Sequence, residues 1–119
     1  MRGIGGEQVL MRIILSESRR YDRGPLFRRL LDVLREEGLA GATMFKGVAG
    51  FSQGGSLHTT MIEVAARGLP VVLEVVDTQE RIDRVLPKVD ALMPGGVVMI
   101  ERAHVIRYAK EARPAAPPT

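Results

Sequence analysis

Residues 46–58, KGVAGFSQGGSLH, divide the chain into two halves that each predict a strand, a helix and a second strand. The segment has four glycines within residues 47–55 and carries hydroxyls, an amide and an imidazole but little bulk. Glycine weakens regular structure, and a chain tolerates it where the backbone turns sharply, moves or approaches a ligand closely. We therefore interpret these residues as a mobile recognition loop on a small α+β domain.

The half before this loop predicts two strands around one helix. Residues 8–17 predict strand one, with one face formed by Val9, Met11, Ile13 and Leu15. Residues 25–37 predict helix one, because Pro25 suits the first helical turn and Gly38 suits the position after the last turn. Residues 42–50 predict strand two, which leads into the loop.

The half after the loop predicts the same pattern again. Residues 59–67 fit either a strand or a short helical turn, and the nearly continuous apolar residues 71–76 predict strand three, buried on both faces. Asp77 with Glu80 predicts a capping box for helix two. Within that helix Pro87 is expected to cause a kink or a break.

The turn Pro94-Gly95-Gly96 precedes strand four, residues 97–106, and completes the order β-α-β-β-α-β. This order predicts an α+β, ferredoxin-like fold, an antiparallel sheet with two helices on one face. Counting by twos predicts which side chains lie on the face away from the helices: Leu10, Arg12, Ile14, Met44, Lys46, Val48, Val72, Glu74, Val76, Val98, Ile100, Arg102, His104 and Ile106.

That second face is too apolar to be left in water by a monomer. Its few charges need partners, and Glu74 can neutralise one of three cations, Arg12, Lys46 or Arg102. We expect several copies to pack these faces together in a closed symmetric oligomer.

Composition restricts the function classes. At 119 residues the chain predicts one domain, residues 8–108, between a flexible segment 1–7 and a disordered, proline-rich tail 109–119. It has no cysteine, and no apolar run long enough to span a bilayer or to act as a signal peptide. We expect a cytoplasmic protein that is not embedded in a membrane.

Basic residues are concentrated near helix one, in a protein of net charge +3. Acidic residues interrupt this cluster, and aromatic side chains for base stacking are scarce. The cluster is therefore expected to be a solvated face rather than a nucleic-acid site. Binding of a nucleotide phosphate or of an acidic partner is the alternative. The members of the cluster are Arg19, Arg20, Arg23, Arg28 and Arg29.

Three stretches resemble one known superfamily. They are residues 41–51, GATMFKGVAGF, with His58 after them; residues 69–77, LPVVLEVVD; and the closing strand, residues 97–108. On these residues the chain resembles the PII-like superfamily and, within it, an uncharacterised family, the domain of unknown function 190. The resemblance covers residues 8–108.

The resemblance implies a homotrimer that binds nucleotides in clefts between subunits. The loop after strand two would correspond to the PII T-loop, which acts on a membrane transporter or a metabolic enzyme. The turn before strand four would hold phosphates, although here no lysine follows Gly96. The ligand-binding positions expected from the resemblance and from the chemistry of the loop are Lys46, Gly47, Gly50, Phe51, Ser52, His58, Gly95, Gly96, Arg102 and Arg107.

The preferred function is a non-enzymatic signalling or adaptor protein with a small anionic effector, for which we expect an adenine nucleotide, and with no required cofactor or metal. One alternative is a metal-binding trimer similar to the copper-tolerance branch of the fold, using His58 or His104. Another is a small-molecule enzyme at the same cleft, with Glu17 and His58 as an acid/base pair. The third is a purely structural trimer.

Overall fold

The structure is a computed structural model and describes residues 5–50, 58–59 and 68–107. Its elements are β1 (Gly6–Ser16), β2 (Arg20–Tyr21), β3 (Gly24–Pro25), α1 (Leu26–Glu36), β4 (Thr43–Lys46), β5 (Ala49–Gly50), β6 (His58–Thr59), β7 (Pro70–Asp77), α2 (Gln79–Leu92) and β8 (Val97–Val105). The predicted tail and most of the predicted loop lie outside the described residues.

The main sheet has the order β4-β7-β1-β8, and every neighbouring pair is antiparallel. With α1 and α2 between its strands, this is the predicted β-α-β-β-α-β order, so the expected fold class is confirmed. β2 pairs with β3, and β5 pairs with β6, in two small ladders that the sequence did not predict. The second ladder joins the two ends of the glycine-rich segment.

The core lies between the sheet and the two helices. One face of β1 is buried at the four predicted positions, and α1 and α2 bury apolar stripes against it. Burial of this kind is the main favourable term in folding. The core residues are Val9, Met11, Ile13, Leu15, Leu26, Leu30, Val33, Leu34, Val71, Leu73, Val75, Ile82, Val85 and Val89.

The other face of the sheet carries the residues predicted for β1 and β7, but not those predicted for β8. β8 pairs with β1 so that Ile100 lies opposite Met11 and Arg102 lies opposite Val9. Directly opposite residues in an antiparallel pair share a face. The expectation that Val98, Ile100, Arg102 and His104 lie away from the helices is therefore wrong, and these residues lie on the helix side.

The same shift occurs in β4, where Met44 lies opposite the buried Leu73. Met44 and Lys46 therefore belong to the helix side, while Val48 and Ile106 lie beyond the ends of the main-sheet strands. We name the other side the open face, and its residues are Leu10, Arg12, Ile14, Thr43, Phe45, Val72, Glu74, Val76, Val97, Met99 and Glu101.

The two helices end and begin at specific local contacts. α1 ends where Gly38 takes a positive φ of 79°, as predicted. The predicted capping box of α2 is wrong, because the N-cap is Thr78, whose hydroxyl accepts a hydrogen bond from the Arg81 N–H at 3.2 Å. α2 continues through Pro87 to its end at Leu92. In the described part of the chain, neither helix combines the length and the apolar character needed to cross a membrane.

Candidate functional site

Four chain segments meet at one end of the main sheet, where β1 and β4 end and β7 and β8 begin. The register places Ser16 opposite Pro70, Lys46 opposite Val71 and Val97 opposite Ile14. The start of the glycine-rich segment and the Gly95-Gly96 turn therefore both lie at this end of the sheet. We call it the loop end of the sheet.

Gly47 and Gly50 are held against Pro70. The Gly47 N–H donates a hydrogen bond to the Pro70 carbonyl at 2.7 Å, and a Cβ on Gly47 would lie 2.7 Å from Pro70 Cγ. On Gly50 a Cβ would lie 3.0 Å from the same atom, and Gly50 pairs with His58 across the small β5–β6 ladder. Glycine here thus permits a close backbone approach, and the loop base is a narrow, ordered neck.

Lys46 already has an acidic partner at this end. Its Nζ lies 3.1 Å from Oε2 of Glu17, and the Glu17 N–H donates to the Leu69 carbonyl at 2.8 Å. Glu17 was considered in the sequence as half of an acid/base pair with His58. In the structure it is the counter-ion of Lys46, so an anionic ligand would compete with Glu17 for this cation.

The Gly95-Gly96 turn lies beside β1 and beside an arginine that the sequence did not single out as a ligand. Gly96 has φ of 95°, and a Cβ there would lie 2.6 Å from the Ile14 carbonyl oxygen. A Cβ on Gly95 would lie 3.1 Å from the Arg19 Nη2 atom. The sequence does contain a signal for Arg19, since it belongs to the basic cluster near helix one. That cluster is expected from sequence to be a solvated face.

Arg102 and Arg107 are far from the loop end within one chain. Arg102 is five residues beyond Val97 on β8, about 17 Å at roughly 3.4 Å per residue, and Arg107 follows the end of that strand. A single chain therefore does not bring these two arginines to Gly47, Gly50 or the Gly95-Gly96 turn.

The remaining residues considered for ligand or metal binding are Phe51, Ser52, His58 and His104. Phe51, Ser52 and the side chain of His58 lie outside the described residues. His104 is exposed, and its Nδ1 lies 3.0 Å from Glu7 Oε2. Within the ranges that the structure describes, no group of three histidine or acidic side chains is close enough to hold a metal ion.

The open face has a central ion network among apolar side chains. Arg12 Nε lies 2.9 Å from Glu74 Oε2, and Arg12 Nη1 lies 2.8 Å from Glu101 Oε1. Hydrogen bonds to Glu74 and then to Glu101 raise the pKa of Arg12 above its usual value, so it stays charged. Of the three cations that Glu74 was expected to neutralise, the structure selects Arg12.

Large apolar side chains surround this network and are exposed. Phe45, Val97 and Met99 are 52%, 51% and 44% exposed. Scattered apolar residues are normal on protein surfaces, but a contiguous apolar patch marks an interaction surface. The open face thus has the composition of an interface core around one set of paired charges.

A groove of about 520 Å³ lies elsewhere, between α1 and the connection to β4. Its lining includes Arg28, Leu31, Asp32 and Arg35, and none of the predicted ligand residues.

Comparisons with known sequences give one family. Residues 8–105 match the family DUF190, described as "Uncharacterized ACR, COG1993". A "UPF0166 protein" of Methanocaldococcus jannaschii is 30% identical over 99 residues, covering 82% of this chain and 91% of that protein. A "UPF0166 protein" of Aquifex aeolicus is 32% identical over 100 residues, covering 84% and 94%.

Comparison with solved structures gives the fold. CPII, a nitrogen regulatory PII-like protein from Thiomonas intermedia K12, superposes with a TM-score of 0.62 at 18% identity, covering 85% of this chain and 90% of CPII. That structure of CPII is bound to ADP, AMP and bicarbonate. At this level of identity the likeness establishes a shared fold.

Proposed function

Because this chain belongs to the DUF190 family and has the fold of a PII-like protein, we propose that it is a signalling or adaptor protein that assembles as a homotrimer. Each cleft between subunits binds a small anionic effector, an adenine nucleotide. The glycine-rich segment 46–58 then changes its order, and a partner such as a membrane transporter or a metabolic enzyme reads that change. No catalytic step is part of this role.

The observation that carries the proposal is the fold shared with CPII, a PII-like protein whose structure holds ADP, AMP and bicarbonate. The open face supports the assembly, because packing it against other copies removes Phe45, Val97 and Met99 from water and keeps the charges of Arg12 paired with carboxylates. Closed symmetric oligomers are the usual way to bury such a surface.

The placement of the cations supports a cleft made by two subunits. Lys46 lies at the loop end of the sheet, whereas Arg102 and Arg107 lie toward the other end of β8. They can serve the same ligand only if they come from neighbouring copies. Guanidinium and ammonium groups form charge-assisted hydrogen bonds to phosphate, which are stronger than neutral ones.

The mechanism is a coupling between ligand binding and loop order. Gly47 and Gly50 hold the neck of the segment against Pro70, while Glu17 holds Lys46. A phosphate group that draws Lys46 away from Glu17 changes the contacts at this neck. An effector shifts a conformational equilibrium only by its difference in affinity for the two states, and this exchange of partners supplies such a difference.

Calorimetric titration of the purified full chain with ADP, AMP and ATP tests the proposal. We expect saturable binding with one site per subunit. Arg102→Ala should weaken it by about tenfold or more through the loss of a charge-assisted bond. Arg84→Ala, an exposed arginine on α2 with no described ion pair, removes the same charge and should change affinity less than twofold.

Two results would contradict the proposal. One is no binding of any of the three nucleotides by the wild type. The other is equal affinity of the Arg102→Ala and Arg84→Ala variants. Binding of a metal ion instead, lost in His58→Ala, would favour the metal-binding trimer.

A further inference from the structure

The turn between β1 and β2 directs one arginine toward the Gly95-Gly96 turn. The Arg19 N–H donates to the Ser16 carbonyl at 3.1 Å, and the Arg19 carbonyl accepts from the Leu26 N–H, at the start of α1, at 2.8 Å. The backbone of Arg19 is thus fixed between a strand and a helix. Its side chain extends from this point to Gly95, where a Cβ would lie 3.1 Å from Nη2.

The charge of Arg19 is uncompensated in the described part of the chain. Six other cations there have a carboxylate within 4 Å: Arg12, Arg29, Arg35, Lys46, Arg81 and Lys88. Arg19 has no such partner among the described residues, and Glu17, two residues before it, is engaged by Lys46. The Arg19 guanidinium therefore keeps its hydrogen-bond donors for another group.

Glycine at positions 95 and 96 leaves this guanidinium next to bare backbone. Gly96 is required by its positive φ and by the Ile14 carbonyl. Gly95 has no such backbone constraint, since the only atoms that a Cβ would meet belong to the end of the Arg19 side chain. The guanidinium thus lies beside a turn where no side chain blocks its donors, and a planar guanidinium suits an oxyanion.

We propose that Arg19 binds the terminal phosphate of the nucleotide at the Gly95-Gly96 turn. The inference rests on the proposed function, and it adds one cation, the Arg19 guanidinium, to the site proposed there. No lysine follows Gly96, and a guanidinium from the β1–β2 connection supplies the cation instead. ADP, whose phosphate chain reaches further than that of AMP, therefore gains more from Arg19 than AMP does.

The test is calorimetric titration of the full chain with ADP and with AMP in four variants. Arg19→Ala should lose on the order of tenfold or more in affinity for ADP and less than threefold for AMP. Arg23→Ala is the matched control, since it removes an exposed arginine from the next turn along the chain, between β2 and β3, that has no ion pair among the described residues; it should change both affinities less than threefold. Arg19→Lys keeps the positive charge but loses the planar guanidinium with its forked donors, so its affinity for ADP should lie between those of the wild type and Arg19→Ala.

Gly95→Ala probes the turn itself, because its methyl group displaces the guanidinium end. It should weaken ADP binding in the same direction as Arg19→Ala, while the thermal midpoint of each ligand-free variant checks that the fold is kept.

The outcomes separate two failures. If the wild type binds ADP and AMP but Arg19→Ala matches Arg23→Ala, the phosphate site is wrong and the proposed function stands. An equal loss of both nucleotides in Arg19→Ala also overturns the assignment to the terminal phosphate. If the wild type binds neither nucleotide, the proposed function itself fails. Competition of ADP by inorganic phosphate but not by bicarbonate would support a phosphate site over a general anion site.

Discussion

At the scale of single residues, buried polar contacts and backbone geometry explain positions that apolar periodicity does not address. Asp77 is fully buried at the end of β7, and its carboxylate accepts from the Ala40 N–H and the Thr78 N–H, both at 2.7 Å. It joins the connection after α1 to the start of α2. The sequence alone predicts Asp77 as part of a capping box with Glu80, because a buried aspartate and an N-cap aspartate look alike in a sequence.

Replacing Asp77 with alanine should lower the free energy of unfolding by about 3 kcal/mol, since two backbone N–H groups lose a buried acceptor. Urea denaturation followed by circular dichroism measures this change. Asp83→Ala, an exposed aspartate on α2, is the control and should cost less than about 0.5 kcal/mol. Equal losses in the two variants would show that Asp77 does not hold these segments together.

The two adjacent glycines before β8 should respond differently to the same substitution. Gly96→Ala places a Cβ 2.6 Å from a carbonyl oxygen at a positive φ, and should cost about 2 kcal/mol of unfolding free energy. Gly95→Ala meets only the end of the Arg19 side chain and should cost much less. Thermal denaturation of both variants compares them directly, and a larger loss for Gly95→Ala would contradict the described geometry.

At the scale of elements, much of the fold is predictable because central strands and amphipathic helices have a clear apolar phase. The buried positions of β1 were predicted one by one, as was the end of α1 at Gly38. The faces of β4 and β8 were predicted wrongly because both are edge strands with most of their residues exposed, so burial imposes little alternation on their sequences. Val97–Ile100 are four apolar residues in succession, so period two does not decide which of them face the helices.

The candidate site was less predictable than the fold. Glycines at the loop base can be recognised from sequence, since close approach to Pro70 needs them. The partners of charged residues cannot, because Glu17–Lys46 and Arg19–Gly95 join segments far apart in the chain. The separation of Arg102 from the loop end likewise follows from strand register rather than from composition.

The start of α2 gives a test at this scale. Thr78→Ala removes the hydroxyl that accepts from the Arg81 N–H and should cost about 1 kcal/mol of unfolding free energy. Thr78→Ser keeps the hydroxyl and should retain most of that stability. Glu80→Ala should have little effect in the same urea titration. A larger loss of unfolding free energy for Glu80→Ala than for Thr78→Ala would support the capping box of Asp77 and Glu80 and contradict Thr78 as the N-cap.

At the scale of the whole molecule, the open face is the feature that a single chain leaves unfinished. Its apolar side chains surround the Arg12 network, and both described helices lie on the other face of the sheet. In the proposed assembly, packing of this face against other copies would create clefts that join the loop end of one subunit to β8 of another. The proposed effector site, the proposed phosphate contact of Arg19 and the proposed coupling to the segment 46–58 all depend on this assembly.

Substitutions at two neighbouring residues of β8 can test which face of the sheet forms the interface between subunits. Met99 and Ile100 are each 44% exposed, and only Met99 lies on the open face. Met99→Glu places a third carboxylate beside Arg12, which already pairs with Glu74 and Glu101. It should dissociate the oligomer, because the excess negative charge would be buried without a partner. Ile100→Glu should leave the mass in solution unchanged. Sedimentation velocity measures both, and dissociation by Ile100→Glu alone would place the interface elsewhere.

The most direct test of the central claim is the mass of the wild-type protein by light scattering over a range of dilutions. Assembly through the open face predicts a particle three times the mass of the 13.0 kDa chain, stable to micromolar concentrations and below. A particle with the mass of one chain at all concentrations would contradict the claim, since clefts between subunits would then not exist.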